Sequence, residues 1–190
     1  MEPCPSISSP ARRPHGVEQE QGLRQRVGTL LDGASDIPDF VGFVLETICG
    51  FDPNSGNWQR GSQVPSTMSR TAVTGEAIKP RQVWSGPEGA LLPVFLDSER
   101  RLGIGRGRRA TSQALQWLRG GREQLALVTN GRQWRLVFAG LDFDAWCEWD
   151  LDLWLEEGEL SSQVALLRTL LAPTLWIPPE ANEASPLLQT

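Results

Sequence analysis

The stretch that decides the fold runs over residues 103–138 and reads GIGRGRRATSQALQWLRGGREQLALVTNGRQWRLVF. A loop of glycines and arginines leads into a segment with the apolar spacing of a helix, which ends at Gly120-Gly121. The apolar run over 125–129 predicts a buried strand. Asn130-Gly131 predicts a tight hairpin turn, since both residue types tolerate positive φ. Alternating apolar and polar residues over 133–138 predict the return strand.

Four weaker elements precede this stretch. Asp36 can cap a helix and Pro38 suits its first turn, so the helical spacing of apolar residues that follows predicts a helix over 36–49. Residues 71–78 and 82–84 predict short strands. The apolar run over 90–96 predicts a buried strand, and its proline, Pro93, indicates a bulge or a sheet edge.

The remaining elements complete an α/β or α+β domain with a mixed central sheet flanked by helices. Residues 145–151 predict a further strand, and Val164, Leu167, Leu170 and Leu171 mark a closing helix. The sequence predicts a βαβ unit that consists of strand 90–96, helix 109–120 and strand 124–129. Such a unit makes its two strands parallel and the crossover right-handed.

The length of 190 residues suits one domain with loose ends. Both ends are rich in proline and lack a clear apolar period, which is typical of disordered segments. We therefore predict a disordered N-terminal tail over 1–35, a domain over 36–172 and a Pro-rich tail over 173–190.

Cysteine usage and hydropathy indicate a reducing, aqueous compartment. Cys4, Cys49 and Cys147 are far apart in the sequence and odd in number, so neither a zinc site nor a disulfide framework is predicted. We expect them to be buried thiols. No apolar run reaches the roughly 18 residues that span a bilayer, and the N-terminus lacks an apolar signal core. We therefore predict a cytoplasmic protein without a membrane partner.

Charge is distributed unevenly along the chain, although the net charge is −5. Residues 100–135 carry nine arginines opposed only by Glu123, whereas 142–159 carry eight acids and no basic residue. Two interpretations stay open: the two segments neutralise each other within the fold, or a basic face meets phosphate groups.

The glycine-rich loop 103–107 follows neither common nucleotide-binding spacing, so no nucleotide cofactor is predicted. A glycine-rich turn that opens a helix nevertheless offers backbone N–H groups to an anion, and neighbouring arginines add positive charge. The alternative is a flexible surface loop with solvated arginines. The arginines expected to contact phosphate are Arg100, Arg101, Arg106, Arg108 and Arg109.

The eight tryptophans could offer stacking surfaces for bases. Trp117, Trp134 and Trp146, however, lie on patterns that face a core. We therefore expect these three side chains to pack inside the protein.

Residues 127–136, LVTNGRQWRL, resemble the LTNG-x-x-WRL signature of N-terminal domains in restriction–modification proteins. These proteins include type IIG-like adenine DNA methyltransferases, their relatives in BREX- and DISARM-type phage defence, and type I restriction subunits. The resemblance covers about 36–172 and is most specific over 124–139. It implies a restriction-endonuclease-like fold of the PD-(D/E)xK type, in which two acids hold Mg²⁺ and a lysine assists the attacking water.

The resemblance also implies where the catalytic positions lie. Pro80-Arg81 stands where that family has Pro-Asp, Phe95-Leu96-Asp97 stands where it has Glu-x-Lys, and Gln113 stands where it has a helical glutamine. Neither Arg81 nor Phe95 can bind a metal ion, and no lysine lies near Asp97 in the sequence. The resemblance therefore implies a degenerate, catalytically silent nuclease-like fold without metal or other cofactor.

The partners implied are DNA, bound through its backbone without regard to sequence, and a methyltransferase domain or subunit. One alternative is an active Mg-dependent endonuclease that uses Asp97 and Glu99. Another is a vestigial or protein-binding domain that uses the acidic segment 142–159 and binds no DNA. The motif Ile177-Pro178-Pro179-Glu180 lacks the asparagine and aromatic residue that bind adenine in these methyltransferases. We therefore expect a separated N-terminal module or a truncated reading frame.

Overall fold

The computed structural model describes residues 15–33, 36–103, 108–154 and 162–176. Its helices are α1 (His15–Leu31), α2 (Ile37–Phe43), α3 (Arg108–Arg119) and α4 (Ser162–Leu171), and a π-helical segment, Val44–Ile48, continues α2. Its strands are β1 (Trp58–Arg60), β2 (Arg70–Thr71), β3 (Ala77–Ile78), β4 (Gln82–Ser85), β5 (Leu91–Leu96), β6 (Leu125–Thr129), β7 (Gln133–Ala139) and β8 (Asp144–Asp150).

Six strands form one mixed sheet in the order β1-β4-β5-β6-β7-β8, and β2 and β3 form a separate hairpin. All neighbours in the large sheet are antiparallel except β5 and β6, which are parallel. The fold class is thus α+β with a mixed central sheet, as the sequence predicts. The parallel crossover through α3 and the hairpin at Asn130-Gly131 are also confirmed, and Gly131 has a φ of +82°.

Helices cover both faces of the sheet. Helices α1, α2 and α4 pack on one face, where Val94 and Leu127 belong to the larger core cluster. Helix α3 packs on the other face against Phe95 and Val128. Successive strand residues point to opposite faces, so a strand covered on both sides is apolar throughout. This explains the unbroken apolar runs of β5 and β6.

Helix α1 lies in the segment predicted to be a tail. Leu23, Val27 and Leu30 are buried in the larger core cluster at helical spacing. The predicted disordered tail over 1–35 is therefore wrong for 15–31, because three apolar residues among Gly, Gln and Arg give a weak pattern that needs its packing partner. Residues 1–14 and 177–190 lie outside the described residues, and Pro173–Trp176 forms a 3₁₀ turn.

Strand β5 lies inside the sheet, between β4 and β6, so the predicted bulge or edge position is wrong. The register with β4 runs through Pro93 without interruption. The parallel ladder with β6 begins only at Val94, so Pro93 lies outside the ladder on that side, where its missing N–H costs nothing. The predicted strand 71–78 is instead the hairpin of β2 and β3.

Strand β8 is an edge strand of the large sheet. Cys147 and Trp146 lie on it and are exposed, so the prediction that both are buried is wrong. Their pattern is that of a buried strand, but β8 has a neighbouring strand on one side only, and both side chains stay exposed. Trp117, Trp134 and Cys49 are buried as expected. Cys4 lies outside the described residues.

Across the described parts of the chain, no helix combines the length and the apolar character that crossing a bilayer requires.

Candidate functional site

A groove opens at the carboxyl end of β5, between the first turns of α2 and α3. It consists of two adjoining depressions of about 370 and 550 Å³ that share Leu96, Asp97, Ser98, Ala110 and Gln113. We call it the β5–α3 groove; the side chains that line it with a polar or charged group are Asp36, Lys79, Arg81, Asp97, Ser98, Glu99, Arg109 and Gln113. Such crevices, where a strand ends and the next helix begins, are frequent ligand sites in α/β sheets.

The four positions singled out by the resemblance, Arg81, Phe95, Asp97 and Gln113, all line this groove. Arg81 directly precedes β4, and its backbone N–H donates to the carbonyl of Val94 at 2.8 Å. Phe95 lies on β5 and Asp97 follows it directly. The antiparallel pairing of β4 with β5 therefore brings the two strand positions side by side, and α3 adds Gln113 from above.

Asp97 is the carboxylate held most firmly in the groove, with only 9% of its surface exposed. Its N–H donates to the carbonyl of Thr129 at 2.9 Å, and its Oδ1 accepts from the N–H of Glu99 at 2.8 Å. Its Oδ2 is buried and has no hydrogen-bond partner among the described residues. Because an unpartnered buried oxygen is costly, this atom is the place in the groove where a ligand donor, cation or water gains most.

The groove does not assemble a metal site from the described residues. Arg81 is a cation, and Phe95 is buried edge-on against Trp117 with ring centroids 6.0 Å apart. Asp36 and Glu99 line different depressions of the groove. Nowhere in the described ranges do three His, Cys, Asp or Glu side chains come together as metal ligands.

Three basic side chains, Lys79, Arg81 and Arg109, line the groove. Arg109 pairs with Glu76. The side chains of Lys79 and Arg81 make no hydrogen bond or ion pair with any residue that the structure describes. Sequence reasoning missed Lys79, because strand pairing rather than sequence distance brings it to Asp97. The only local signal is its position in Lys79-Pro80-Arg81.

The five arginines predicted to contact phosphate do not form one cluster in the described structure. Arg109 lines the β5–α3 groove, and Arg100 and Arg101 are exposed on the loop after β5. Arg106 lies outside the described residues, and for Arg108 only the backbone, at the start of α3, is described.

Part of the positive charge over 100–135 is neutralised by the acidic segment. Arg119 pairs with Asp144 at 2.6 Å, and Arg135 pairs with Glu148 on the neighbouring strand. The first interpretation, in which the basic and acidic segments neutralise each other, therefore holds for Arg119 and Arg135. Within the described chain, Arg100 and Arg101 have no such carboxylate partner.

The hairpin turn after β6 holds the loop that forms one wall of the groove. Asn130 Nδ2 donates to the carbonyl of Glu99 at 2.9 Å, and the N–H of Leu102 donates to Gln133 Oε1 at 2.8 Å. The sequence identifies Asn130 as a turn residue but gives no sign of this second contact.

No protein-family model, no curated protein and no solved structure matches this chain. The choice among functions therefore rests on the geometry of the β5–α3 groove and on the resemblance carried by residues 127–136.

Proposed function

We propose that the domain is a catalytically silent, nuclease-like module of a cytoplasmic restriction–modification or phage-defence DNA methyltransferase. The observation that carries the proposal is that Arg81, Phe95, Asp97 and Gln113 line one groove. The resemblance selects these four positions; Asp97 lies two residues after Phe95, and Arg81 and Gln113 join them through the pairing of β4 with β5 and the packing of α3. Their convergence supports the nuclease-like arrangement, in which two adjacent strands and the following helix surround the scissile phosphate.

The basic side chains of the groove supply the contacts for the DNA backbone, beside the carboxylates of Asp36, Asp97 and Glu99. Lys79 and Arg81 present positive charges that have no ion-pair partner in the described chain, and Arg109, which pairs with Glu76, lies in the first turn of α3, where the helix dipole favours an anion. Contacts to phosphate fix the position of a protein on DNA but carry no sequence information. The proposed role is therefore to hold DNA, without reading its sequence, beside a methyltransferase domain or subunit.

Catalytic silence follows from the same positions. The metal-binding acids of an active enzyme are replaced by Arg81, which repels a cation, and by Phe95, which packs on Trp117. Hard cations such as Mg²⁺ need oxygen ligands, and only Asp97 among the four positions supplies one.

Fluorescence anisotropy with a labelled random 20-bp duplex at low salt tests DNA binding. The double variant Lys79→Glu/Arg81→Glu is expected to weaken binding by about tenfold or more, since it removes two phosphate contacts and adds two repulsions. The variant Arg122→Glu/Arg168→Glu makes the same charge change at exposed positions outside the groove and serves as the control. Equal loss in both variants, or no binding by the unmodified protein, contradicts the proposal.

A second candidate, a Mg-dependent endonuclease, is favoured by the unpartnered Oδ2 of Asp97 and by the presence of Lys79 in the same groove. Supercoiled plasmid incubated with the protein and Mg²⁺ or Mn²⁺ distinguishes the two candidates. We expect no nicking. If the unmodified protein nicks the plasmid and Asp97→Asn does not, the domain is an active endonuclease rather than a catalytically silent one.

A role in protein binding alone makes a different prediction. In that case the domain co-purifies with a methyltransferase through its acidic 142–159 segment, and duplex binding is absent at every salt concentration.

A further inference from the structure

A second groove lies on the far side of α3, between this helix and the edge strand β8. It has a volume of about 500 Å³, and we call it the α3–β8 groove, defined by Arg101, Leu102, Thr111, Leu115, Arg135 and Trp146. Trp146 forms its outer wall and is 61% exposed. A large aromatic ring on a regular strand that remains this accessible offers a stacking surface.

The ring of Trp146 is supported by a fixed neighbour. The guanidinium carbon of Arg135 lies 5.4 Å from the ring centroid, within cation–π range. Arg135 is itself nearly buried, with Nε donating to Glu148 at 2.8 Å and Nη1 donating to Thr111 at 3.4 Å. The ring therefore has a defined orientation, and little conformational freedom is lost when a ligand binds it.

The charges around the groove suit a polyanion. Glu148 is neutralised by Arg135, and Asp144 on the same strand is neutralised by Arg119. Arg101 lines the groove, and Arg100 precedes it on the same exposed loop; neither has an ion-pair partner within the described chain. A phosphate beside a ligand on Trp146 thus meets the free positive charge of Arg101, while the carboxylate of Glu148, which also lines the groove, is paired with Arg135.

The two grooves share the amino-terminal half of α3. Ala110 and Gln113 line the β5–α3 groove, whereas Thr111 and Leu115 line the α3–β8 groove. They are separated by about one helix diameter, which is on the order of 10 Å. A single DNA strand that contacts Arg109 can therefore reach Trp146 with a neighbouring nucleotide.

We infer that Trp146 is the stacking platform for an unpaired nucleobase of a DNA strand whose phosphates contact Arg100 and Arg101. This inference rests on the proposed function, since the same DNA crosses the β5–α3 groove. Stacking on an aromatic side chain is tolerant of base identity, in agreement with a module that does not read sequence.

Fluorescence anisotropy with three labelled probes tests the inference: a dT12 oligonucleotide, an abasic oligonucleotide of the same length and charge, and a 12-bp duplex. The unmodified protein is expected to prefer dT12 to the abasic strand. Trp146→Ala is expected to weaken dT12 binding roughly 5- to 150-fold and to leave the abasic strand and the duplex unchanged. Trp146→Phe keeps most of the affinity. Phe143→Ala removes another exposed aromatic ring, outside the groove, and changes nothing.

The outcomes separate this inference from the proposed function. Equal affinity for dT12 and the abasic strand, or no effect of Trp146→Ala on dT12, overturns the inference while the loss of duplex binding in Lys79→Glu/Arg81→Glu still supports the β5–α3 groove. In the opposite result, the preference for dT12 depends on Trp146, and duplex binding is unaffected by Lys79→Glu/Arg81→Glu. That result supports the stacking platform and overturns the proposal that the β5–α3 groove binds DNA. Self-association in sedimentation experiments that disappears in Trp146→Ala, with DNA binding unaltered, identifies a protein interface and overturns the inference.

Discussion

The side chain of Asn130 joins two turns that are distant in the sequence. Its Oδ1 accepts the N–H groups of Arg132 and Gln133 at 3.0 and 2.7 Å, which closes the hairpin between β6 and β7. Its Nδ2 donates to the carbonyl of Glu99 at 2.9 Å, which fixes the loop after β5. The most specific part of the signature stretch therefore shapes the wall of the β5–α3 groove as well as its own turn.

Asn130→Asp keeps the acceptor that closes the hairpin and removes the donor to Glu99. We expect a loss of about 1–3 kcal/mol in the free energy of unfolding, because the carbonyl of Glu99 loses its partner beside a buried site. Urea denaturation measures the loss, and hydrogen exchange should show faster opening of residues 98–102 while β6 and β7 stay protected. Asn54→Asp, at an exposed loop position, is the control and should alter neither quantity. Unchanged exchange in the 98–102 loop would contradict the proposed role of Asn130.

The salt dependence of duplex binding measures how many phosphate groups the protein contacts in the β5–α3 groove. Each phosphate neutralised on duplex DNA contributes about −0.9 to the slope of log K against log salt concentration. Lys79→Ala/Arg81→Ala should therefore make the slope shallower by about 2, as measured by anisotropy between low and physiological salt. Arg122→Ala/Arg168→Ala should keep the original slope. A weaker affinity with an unchanged slope would mean that the two side chains act through the fold rather than through phosphate.

Arg70 fastens the β2–β3 hairpin to α3. Its guanidinium lies 3.5 Å from the ring centroid of Trp117, donates to the carbonyl of the same residue, and pairs with Glu123. Arg70→Lys cannot reproduce the flat stack and the two donors together, so we expect a loss of about 1–3 kcal/mol in the free energy of unfolding.

Arg60→Lys is the matched control for Arg70→Lys, because Arg60 makes a more exposed pair with Glu46 at 3.0 Å. Such exposed pairs contribute about 0–1 kcal/mol. Thermal or urea unfolding of both variants gives the comparison, and an equal loss in the two would show that stacking on Trp117 adds nothing.

Cys49 makes the stability depend on alkaline pH. Burial raises the pKa of this thiol from the ordinary 9.0 to about 12, although the positive charge of Arg168 acts in the opposite direction. Between these values the unfolded chain loses the proton and the folded protein keeps it. Stability is therefore fully present below about pH 9 and falls, by up to about 1.4 kcal/mol per pH unit, as the pH rises towards 12.

Urea midpoints measured from pH 8 to 10.5, in a Cys4→Ser/Cys147→Ser background, test the prediction for Cys49. Adding Cys49→Ala should make the decline shallower, although the variant starts from a lower stability. Parallel pH profiles with and without Cys49 would show that the thiol is not the group that titrates.

Several features of the fold could be predicted because their causes are local. Asn130-Gly131 needs only its own turn chemistry to define a hairpin, and Val164, Leu167 and Leu171 need only their spacing to define the buried face of α4. Helix α1 could not be predicted in the same way. Its three buried apolar residues are too few to stand out until α2 and the sheet are present to cover them.

The candidate site also contains residues that the sequence indicates and residues that only the tertiary structure brings together. The resemblance selects Arg81, Phe95, Asp97 and Gln113, but Lys79 and Asp36 join them only through strand pairing and through the packing of α2. Trp146 shows the converse case. Its pattern predicts burial, yet its strand lies at the edge of the sheet, where the Trp146 ring stays exposed.

The amino-acid sequence by itself determined the order of the main helices and strands, the parallel crossover through α3, and the presence of side chains that bind no metal ion at Arg81 and Phe95. Tertiary structure alone decided which charges meet in the β5–α3 groove, which arginines are neutralised, and which strand remains open at the edge. The physical reason is the distance along the chain over which each cause acts. Hydrophobic periodicity and turn chemistry act over a few residues. The meeting of distant side chains depends instead on the order of the strands and on which elements cover each face of the sheet.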